Sequence, residues 1–303
     1  MTNSDLAPIV LFVYNRPKHT KKTIDCLKRN YLAKSSELFI YSDAEKNKQH
    51  KIKVNEVREI INNISGFKKI KIIKRKKNYG LAKNIICGID DIFNKYNKAI
   101  ILEDDIETSK YFLKFMNTSL VKYKKNSNIW HISGWNYPIS YKERKKIKEE
   151  VFFWKVMNCW GWGTWRDRWK KYKKNPKQLM KNWDEKKIKI FNLDGHYDFW
   201  KQVENNYNKT TNTWAIFWMT TIFEHNGYCL NPLTSYVFNS GNDNSGENTR
   251  SNINYKSKIN NKMIRIWPKI NYNFNHIIRL IIKNNFKKIS LLTILKDKIL
   301  RYI

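Results

Sequence analysis

Short apolar runs alternate with longer segments in which apolar residues recur every three or four positions. The first run, Pro8 to Tyr14 (PIVLFVY), is apolar almost throughout and closes on Asn15-Arg16-Pro17. Such a run predicts a strand buried on both faces, and the proline suits the first turn of a following helix. Ile24 and Leu27 carry helical spacing between His19 and Asn30. A second strand, Glu37 to Tyr41 (ELFIY), closes in Ser42-Asp43, and Val54, Val57, Ile60, Ile61 and Ile64 mark a helix ended by Gly66. A third strand, Ile70 to Lys74, runs into the basic group ending at Lys77 and then Asn78-Tyr79-Gly80. Leu81 to Tyr96 is a helix with Ile85, Ile86, Ile89 and Phe93 on one face, and a fourth strand covers Ala99 to Ile106 (AIILEDDI).

Strand and helix thus alternate four times in the first hundred residues, the pattern of a doubly wound, mostly parallel α/β sheet with helices on both faces. Neither GxGxxG nor GxxxxGK[ST] occurs, so a nucleotide would be held by another arrangement. Farther on, Tyr111 to Lys124 reads as a helix. Ile129 to Trp135 and Val151 to Val156 read as strands, separated by the charged loop Lys142 to Glu150. Helices are expected over Asp198–Tyr207 and Thr213–His225, and Gly227 to Pro232 leads a last strand, Ser235 to Asn239. The polar loop Ser240 to Ser251 is placed to close over a ligand. The stretch Asn158 to Trp169 (NCWGWGTWRDRW) interleaves four Trp with Gly and Arg. It offers ring faces for stacking on sugars or bases, or it forms a Trp-rich corner of the core.

Composition modifies this picture in three places. The chain of 303 residues carries 59 Lys+Arg against 26 Asp+Glu, a formal charge of +33. That excess suits phosphate-bearing partners or anionic membranes, although the preference for Lys over Arg and the many Asn and Ile point partly to a general compositional bias. Cys26, Cys87, Cys159 and Cys229 show no CxxC spacing, which argues against zinc and for reduced thiols in a cytoplasmic protein. The polar residues Met1 to Asp5 do not read as a signal peptide, and no apolar run approaches the ~18 residues of a membrane span. From Tyr255 onward there are twelve basic residues and one acid, Asp297. Apolar positions from Ile277 to Ile282 and from Ile289 to Ile299 give amphipathic helices that either lie on an anionic membrane surface or pack on the protein's own surface.

The chemistry gathers at strand ends. Arg16, Asp43, Asn78, Lys83 and the trio Glu103, Asp104, Asp105 all follow the carboxyl ends of the first four strands, where open α/β sheets bind ligands. Three adjacent carboxylates call for a positive charge between them, and a divalent cation beside basic side chains would hold a diphosphate. The alternative is a strand that ends in a solvated acidic turn.

The segments PIVLFVYNRP, YSDAEK, NYGLAKNI, LEDDIETSKYFLKFMN with IWHISGWN, and NCWGWGTWRDRW, with a weaker GYCLNPLTSYVFNSGNDNSG, resemble in this order the GT-A fold glycosyltransferases. The likeness is to the bacterial family-2-like type related to N-acetylglucosaminyltransferase I. The resemblance implies a catalytic domain over 1–254, with a nucleotide-sugar half at 1–106 and an acceptor half at 107–254, followed by a tail over 255–303. It implies Mn2+ or Mg2+ on Asp105, Asp104 at the ribose or metal, and Glu103 at the donor sugar. Asn15, Arg16, Asp43, Asn78 and Lys83 would serve donor binding, with Arg16 and Asp43 at the base. Trp135, Asn136, Trp160 and Trp162 would line the sugar and acceptor cleft. The implied reaction moves a sugar from a nucleoside diphosphate donor to a hydroxyl of a bacterial surface glycan or lipid-linked oligosaccharide, at the inner membrane face.

Two departures stand out. Relatives often carry an acceptor-activating Asp between Trp residues where this chain reads Thr213-Trp214-Ala215-Ile216-Phe217-Trp218; Asp184 and Asp243 are the replacement candidates. A late His of similar proteins is Asn248 here. A catalytically inactive module that binds a glycan or partner is therefore the alternative reading. A nucleic-acid-binding role, suggested by charge and aromatics, leaves the acids of the fourth strand unexplained and is set aside.

Overall fold

The computed structural model describes residues 6–241, 243, 259–268 and 273–286. Four parallel strands, β1 (Ile9–Val13), β2 (Glu37–Ser42), β3 (Lys69–Lys74) and β4 (Lys98–Glu103), alternate with helices α1 (Pro17–Lys28), α2 (Lys48–Asn62) and α3 (Leu81–Phe93). Every residue of β1 is buried, as its unbroken apolar run requires. In α3, Ala82, Ile85, Ile89, Ile92 and Phe93 turn one apolar stripe onto the sheet. A short β5 (Ile106–Thr108) and α4 (Phe112–Lys122) follow the acidic turn.

The second half adds β6 (Ile129–Ser133), α5 (Tyr141–Arg144), β7 (Val151–Trp154), β8 (Trp162–Trp165) and α6 (Arg166–Trp169). Then come α7 (Pro176–Asn182), α8 (Glu185–Phe191), α9 (Trp200–Tyr207), α10 (Ala215–Glu224), β9 (Tyr228–Pro232) and β10 (Val237–Asn239). The eight-stranded sheet runs β3-β2-β1-β4-β8-β6-β9-β7. Strand β8 lies antiparallel between β4 and β6, and β7 is antiparallel to β9. The fold is therefore a mixed α/β structure with a large, mostly parallel sheet.

Strand β8 corrects the reading of the Trp-rich stretch as a ligand surface. Trp162, Trp165 and Trp169 are all buried. Trp162 stacks on His131 (5.1 Å between ring centroids) and on Trp214 (5.4 Å). Trp165 Nε1 donates to the Leu120 carbonyl (3.0 Å), and Trp169 Nε1 donates to Asp90 (2.8 Å). The glycines here serve chain-to-chain contact. A Cβ on Gly134 would lie 2.4 Å from the Gly161 carbonyl oxygen, which accepts the Gly134 N–H at 2.7 Å. Buried His131 accepts at Nδ1 from Trp218 Nε1 (3.2 Å) and donates from Nε2 to the Asn158 carbonyl (3.0 Å). Burial pushes its pKa down to about 3, so it stays neutral and structural.

The expected last strand proves to be two elements. Strand β9 joins the large sheet, whereas β10 pairs antiparallel with β5, Asn239 opposite Ile106. That pairing carries the chain after β10 back to the acidic turn. The helix α11 (Asn275–Asn285) packs on the body of the protein, with Ile277 and Ile281 fully buried. Phe274 meets Phe153 at 5.9 Å, and Phe286 meets Tyr137 at 4.7 Å and Tyr197 at 5.2 Å. Its apolar face is thus covered by protein, which settles the choice between membrane and self-packing for this helix. The apolar positions from Ile289 to Ile299, Asn248 and most of Ser240–Ser251 lie outside the described residues. Among the described residues, no helix is long and apolar enough to cross a membrane.

Candidate active site

A cleft of about 580 Å3 lies across the carboxyl ends of β1, β2 and β4 and the start of α3, the position the strand-end motifs predict. Strand β4 delivers Glu103 to it, and the turn into β5 adds Asp104 and Asp105, both buried. Arg16, at the start of α1, reaches both aspartates. Its Nη2 donates to Asp104 Oδ1 and, at 2.9 Å, to Asp105 Oδ2. The structure therefore sets Arg16 against the acids rather than apart from them at a base.

Backbone bonds hold this cluster still. The Tyr14 N–H donates to Asp104 Oδ2 (3.3 Å), and Thr23 Oγ1 donates to the Asp104 carbonyl (2.8 Å). The Asp105 carbonyl accepts from the Ser240 N–H (2.9 Å) and hydroxyl (3.1 Å). Gly241 closes over the cluster so tightly that a Cβ would lie 2.2 Å from Asp105 Oδ2 and 2.9 Å from Arg16 Nη1.

Three carboxylates face one guanidinium, and the titration reflects that imbalance. Burial, then the charges of Asp105 and Asp104, push Glu103 up to about 8 against the pull of Arg16. Burial lifts Asp104 to about 6, Arg16 opposing it. Arg16 Nη1 is buried and unbonded among the described residues. No three His, Cys, Asp or Glu side chains among the described residues are grouped to hold a metal. Asp105 and Asp104 nonetheless supply the hard oxygen ligands that Mg2+ or Mn2+ takes together with substrate phosphates.

Asp43, at the end of β2, performs local work. Its carboxylate accepts from the backbone N–H groups of Ala44 (2.9 Å), Tyr79 (2.9 Å) and Gly80 (2.9 Å), so it fastens the turn into α3 and complements that helix's N-terminus. Asn78 Nδ2 donates to the Ala44 carbonyl (2.6 Å). Asn15, Asp43, Asn78 and Lys46 all line the cleft. Lys83 does not; it is exposed, with Nζ over the Tyr79 ring at 5.0 Å.

The remaining lining is aromatic and uncharged. Trp135, Tyr137 and Trp160 contribute from the chain following β6 and preceding β8, and Tyr197, Phe199, Gln202, Asn212, Thr213 and Trp214 from around α9 and α10. Trp162 belongs to the core instead. Asn136 is buried outside the lining, its N–H on Ser235 Oγ (3.0 Å).

Of the two proposed bases, Asp184 caps α8, accepting from the Lys187 N–H at 2.7 Å, and does not line the cleft. Asp243 is half-exposed and pairs with His19 Nε2 at 3.1 Å, two residues beyond Gly241. Ala215 does line the cleft.

Sequence reasoning missed Lys46, Asn84, Tyr137, Tyr197 and Phe199. Asn84 had a signal: a polar residue among the apolar positions of α3 whose burial, at 4% exposure, needs a reason. The aromatic residues had none, since their approach to the cleft depends on how distant segments pack.

No curated protein compared with the chain matches it. Among solved structures, the chain is similar to the mannosyltransferase PcManGT from Pyrobaculum calidifontis, in complex with GDP-Man and Mn2+. That likeness has 10% identity and a TM-score of 0.36, covering 54% of this chain and 48% of that one. It is also similar to S. aureus TarS 1-349, with 12% identity and a TM-score of 0.30, covering 42% of this chain and 34% of that one. The chain thus spans about half the length of the first structure and about a third of the second. The family model described as GNT-I family matches residues 1–189, more than half of the chain and all of the strand-end cluster. The chain belongs to the GNT-I family.

Proposed function

We propose that the protein is a GT-A type, metal-dependent glycosyltransferase that moves a sugar from a nucleoside diphosphate donor, a UDP-sugar for preference, to a hydroxyl of a bacterial surface glycan or lipid-linked oligosaccharide. The observation that carries this reading is the junction, in one cleft, of a buried acidic cluster with an uncharged aromatic wall. The three carboxylates exceed the charge of Arg16, which fits a divalent cation at Asp105 with Asp104 beside it. A bound Mn2+ or Mg2+ supplies positive charge against the leaving diphosphate.

The chain's own groups do the rest. Arg16 Nη1, an unbonded buried donor, and Lys46 stand ready for phosphate oxygens. Trp135, Tyr137 and Trp160 orient sugar rings and keep water from the anomeric carbon. Asp243, next along the chain from the segment that closes over Asp105, is the candidate to take the acceptor proton. The basic tail and the strongly cationic surface suit work beside an anionic inner membrane face, as capsule or lipopolysaccharide assembly requires.

Asp105→Ala tests the reading. Mn2+-dependent release of nucleoside diphosphate is expected to fall by about 10²–10³-fold with the circular dichroism spectrum unchanged; full activity in the variant would sink the assignment. The presence of Ala215 in the cleft, in place of a carboxylate, favours a second reading, a binding module without turnover. Under that reading, wild-type protein supplied with Mn2+ and donor releases no nucleoside diphosphate.

A further inference from the structure

We propose that the protein docks on an anionic lipid bilayer through one face, built from the loop between β6 and β7, the segment 262–266 and the outer side of α11. The proposal rests on the inner-membrane part of the reading above and names the surface which that part requires. The contact is not the apolar stripe of α11, which protein covers. It is the polar side of that helix together with the chain joined to it.

Polar contacts bring these stretches together. Asn285 Nδ2 donates to the Pro138 carbonyl (2.9 Å), and Asn284 Nδ2 donates to Glu143 Oε2 (2.6 Å). His276 meets Glu149 at 3.5 Å, and Glu150 Oε2 accepts from the backbone N–H groups of Arg265 (2.6 Å) and Ile266 (2.7 Å). The acids of the loop are thus committed to neighbouring segments. Its cations are not. Lys142, Lys145, Lys146 and Lys148, with Arg279 and Lys283 of α11, are all exposed and form no salt bridge among the described residues. Large apolar side chains stand beside them: Tyr141 is 75% exposed and Ile266 58%. Lys145 Nζ lies over the Tyr141 ring at 4.6 Å.

Uncompensated Lys and Arg around an exposed tyrosine match a bilayer surface. The cations meet lipid phosphates, and the tyrosine ring lies at the level of the headgroups. Charge alone singles out no face in a chain of +33; its coincidence with exposed Tyr141 and Ile266 does. The place also fits the reaction. The loop departs close to Tyr137, and Phe286 at the end of α11 packs on Tyr137 and Tyr197, both of which line the uncharged wall of the cleft. Docking through this face sets that wall beside the bilayer, where a lipid-linked acceptor presents its sugar.

The test sediments the whole chain with vesicles of phosphatidylcholine alone and with vesicles that also hold about 30 mol% phosphatidylglycerol. Binding to the anionic vesicles is expected to be at least about tenfold tighter and to fall as salt rises. Lys142→Glu, Lys145→Glu and Lys146→Glu combined should weaken it at least about tenfold, and Tyr141→Ala about threefold. Lys48→Glu, Lys51→Glu and Lys53→Glu combined, on α2, make the same change of net charge and should weaken it far less; melting temperatures report that each variant is folded. Equal losses for the two triple variants mean that bulk charge does the binding, and they overturn the proposal. Undiminished vesicle binding in the loop variant overturns this face while leaving the membrane reading intact. Duplex DNA bound in place of vesicles, and lost in the loop variant, assigns the face to nucleic acid and overturns the proposal as well. Absence of wild-type binding to anionic vesicles overturns the membrane reading and this proposal with it, whereas calorimetry with UDP and Mn2+ on the same protein tests the donor reading separately.

Discussion

The two walls of the cleft differ sharply in charge. One, built from the ends of β1 to β4, holds Asp43, Glu103, Asp104, Asp105, Arg16 and Lys46. The other runs from Trp135 to Asn239 in chain order and, among the described residues, places no Lys, Arg, Asp or Glu on the lining. In a chain with 59 Lys+Arg that absence is informative. A wall that met phosphate or carboxylate would gain from even one of those cations, so the uncharged wall suits the neutral, ring-bearing part of a substrate. The overall charge of +33 is a property of the outer surface and says little about the interior of the cleft.

The contrast can be broken most severely from within the aromatic side. Trp162→Ala should cost about 3–5 kcal/mol in urea denaturation, because the ring is fully enclosed by His131, Trp169, Trp214 and Trp218. Trp160→Ala, at the half-buried cleft position, should lower donor or acceptor affinity while leaving much of that stability in place. Equal stability losses for the two variants would mean that the aromatic wall is core throughout.

A smaller effect is expected at the seam between the walls. Gly241→Ala must shift either Asp105 or the chain after β10, at a cost of about 1–3 kcal/mol, and should weaken Mn2+ binding measured by calorimetry. Unchanged metal binding would separate Gly241 from the acidic cluster.

A further effect concerns the charged wall and depends on pH. Glu103 holds its proton up to about 8 in the folded chain, against a usual 4.5, chiefly through burial and then through Asp105 and Asp104. Between those values the folded state binds more protons than the unfolded one, so stability falls as pH rises through this window. Glu103→Gln cannot ionise. Its melting temperature should match wild type near pH 5 and exceed it increasingly toward pH 8; parallel curves would show that Glu103 is not held protonated.

The charged wall was legible in the sequence. Apart from Lys46, each of its groups ends or closely follows a buried strand, so the period of the apolar pattern places Arg16, Asp43 and the Glu103–Asp105 turn at one sheet edge without knowledge of packing. The other wall was not. Residues 158–169 read first as a ligand surface, with a core corner as the alternative, and only the antiparallel insertion of β8 between β4 and β6 decided that Trp162, Trp165 and Trp169 face inward while Trp160 faces the cleft. Asp184 looked available because nothing in its sequence neighbourhood distinguishes a helix cap from a free acid.

What the sequence alone determined is the order of strands and helices in the first half, the acidic trio at the end of β4, and the absence of a carboxylate where Ala215 stands. Those follow from local pattern and from residue identity. The tertiary structure decided which partners the acids take, which rings are core, that α11 packs on the protein, and that buried Asn84 accepts from Arg75. These depend on contacts between residues far apart in the chain. A side chain's burial and its hydrogen-bond partner are properties of such contacts, and no local pattern of apolar and polar residues encodes them.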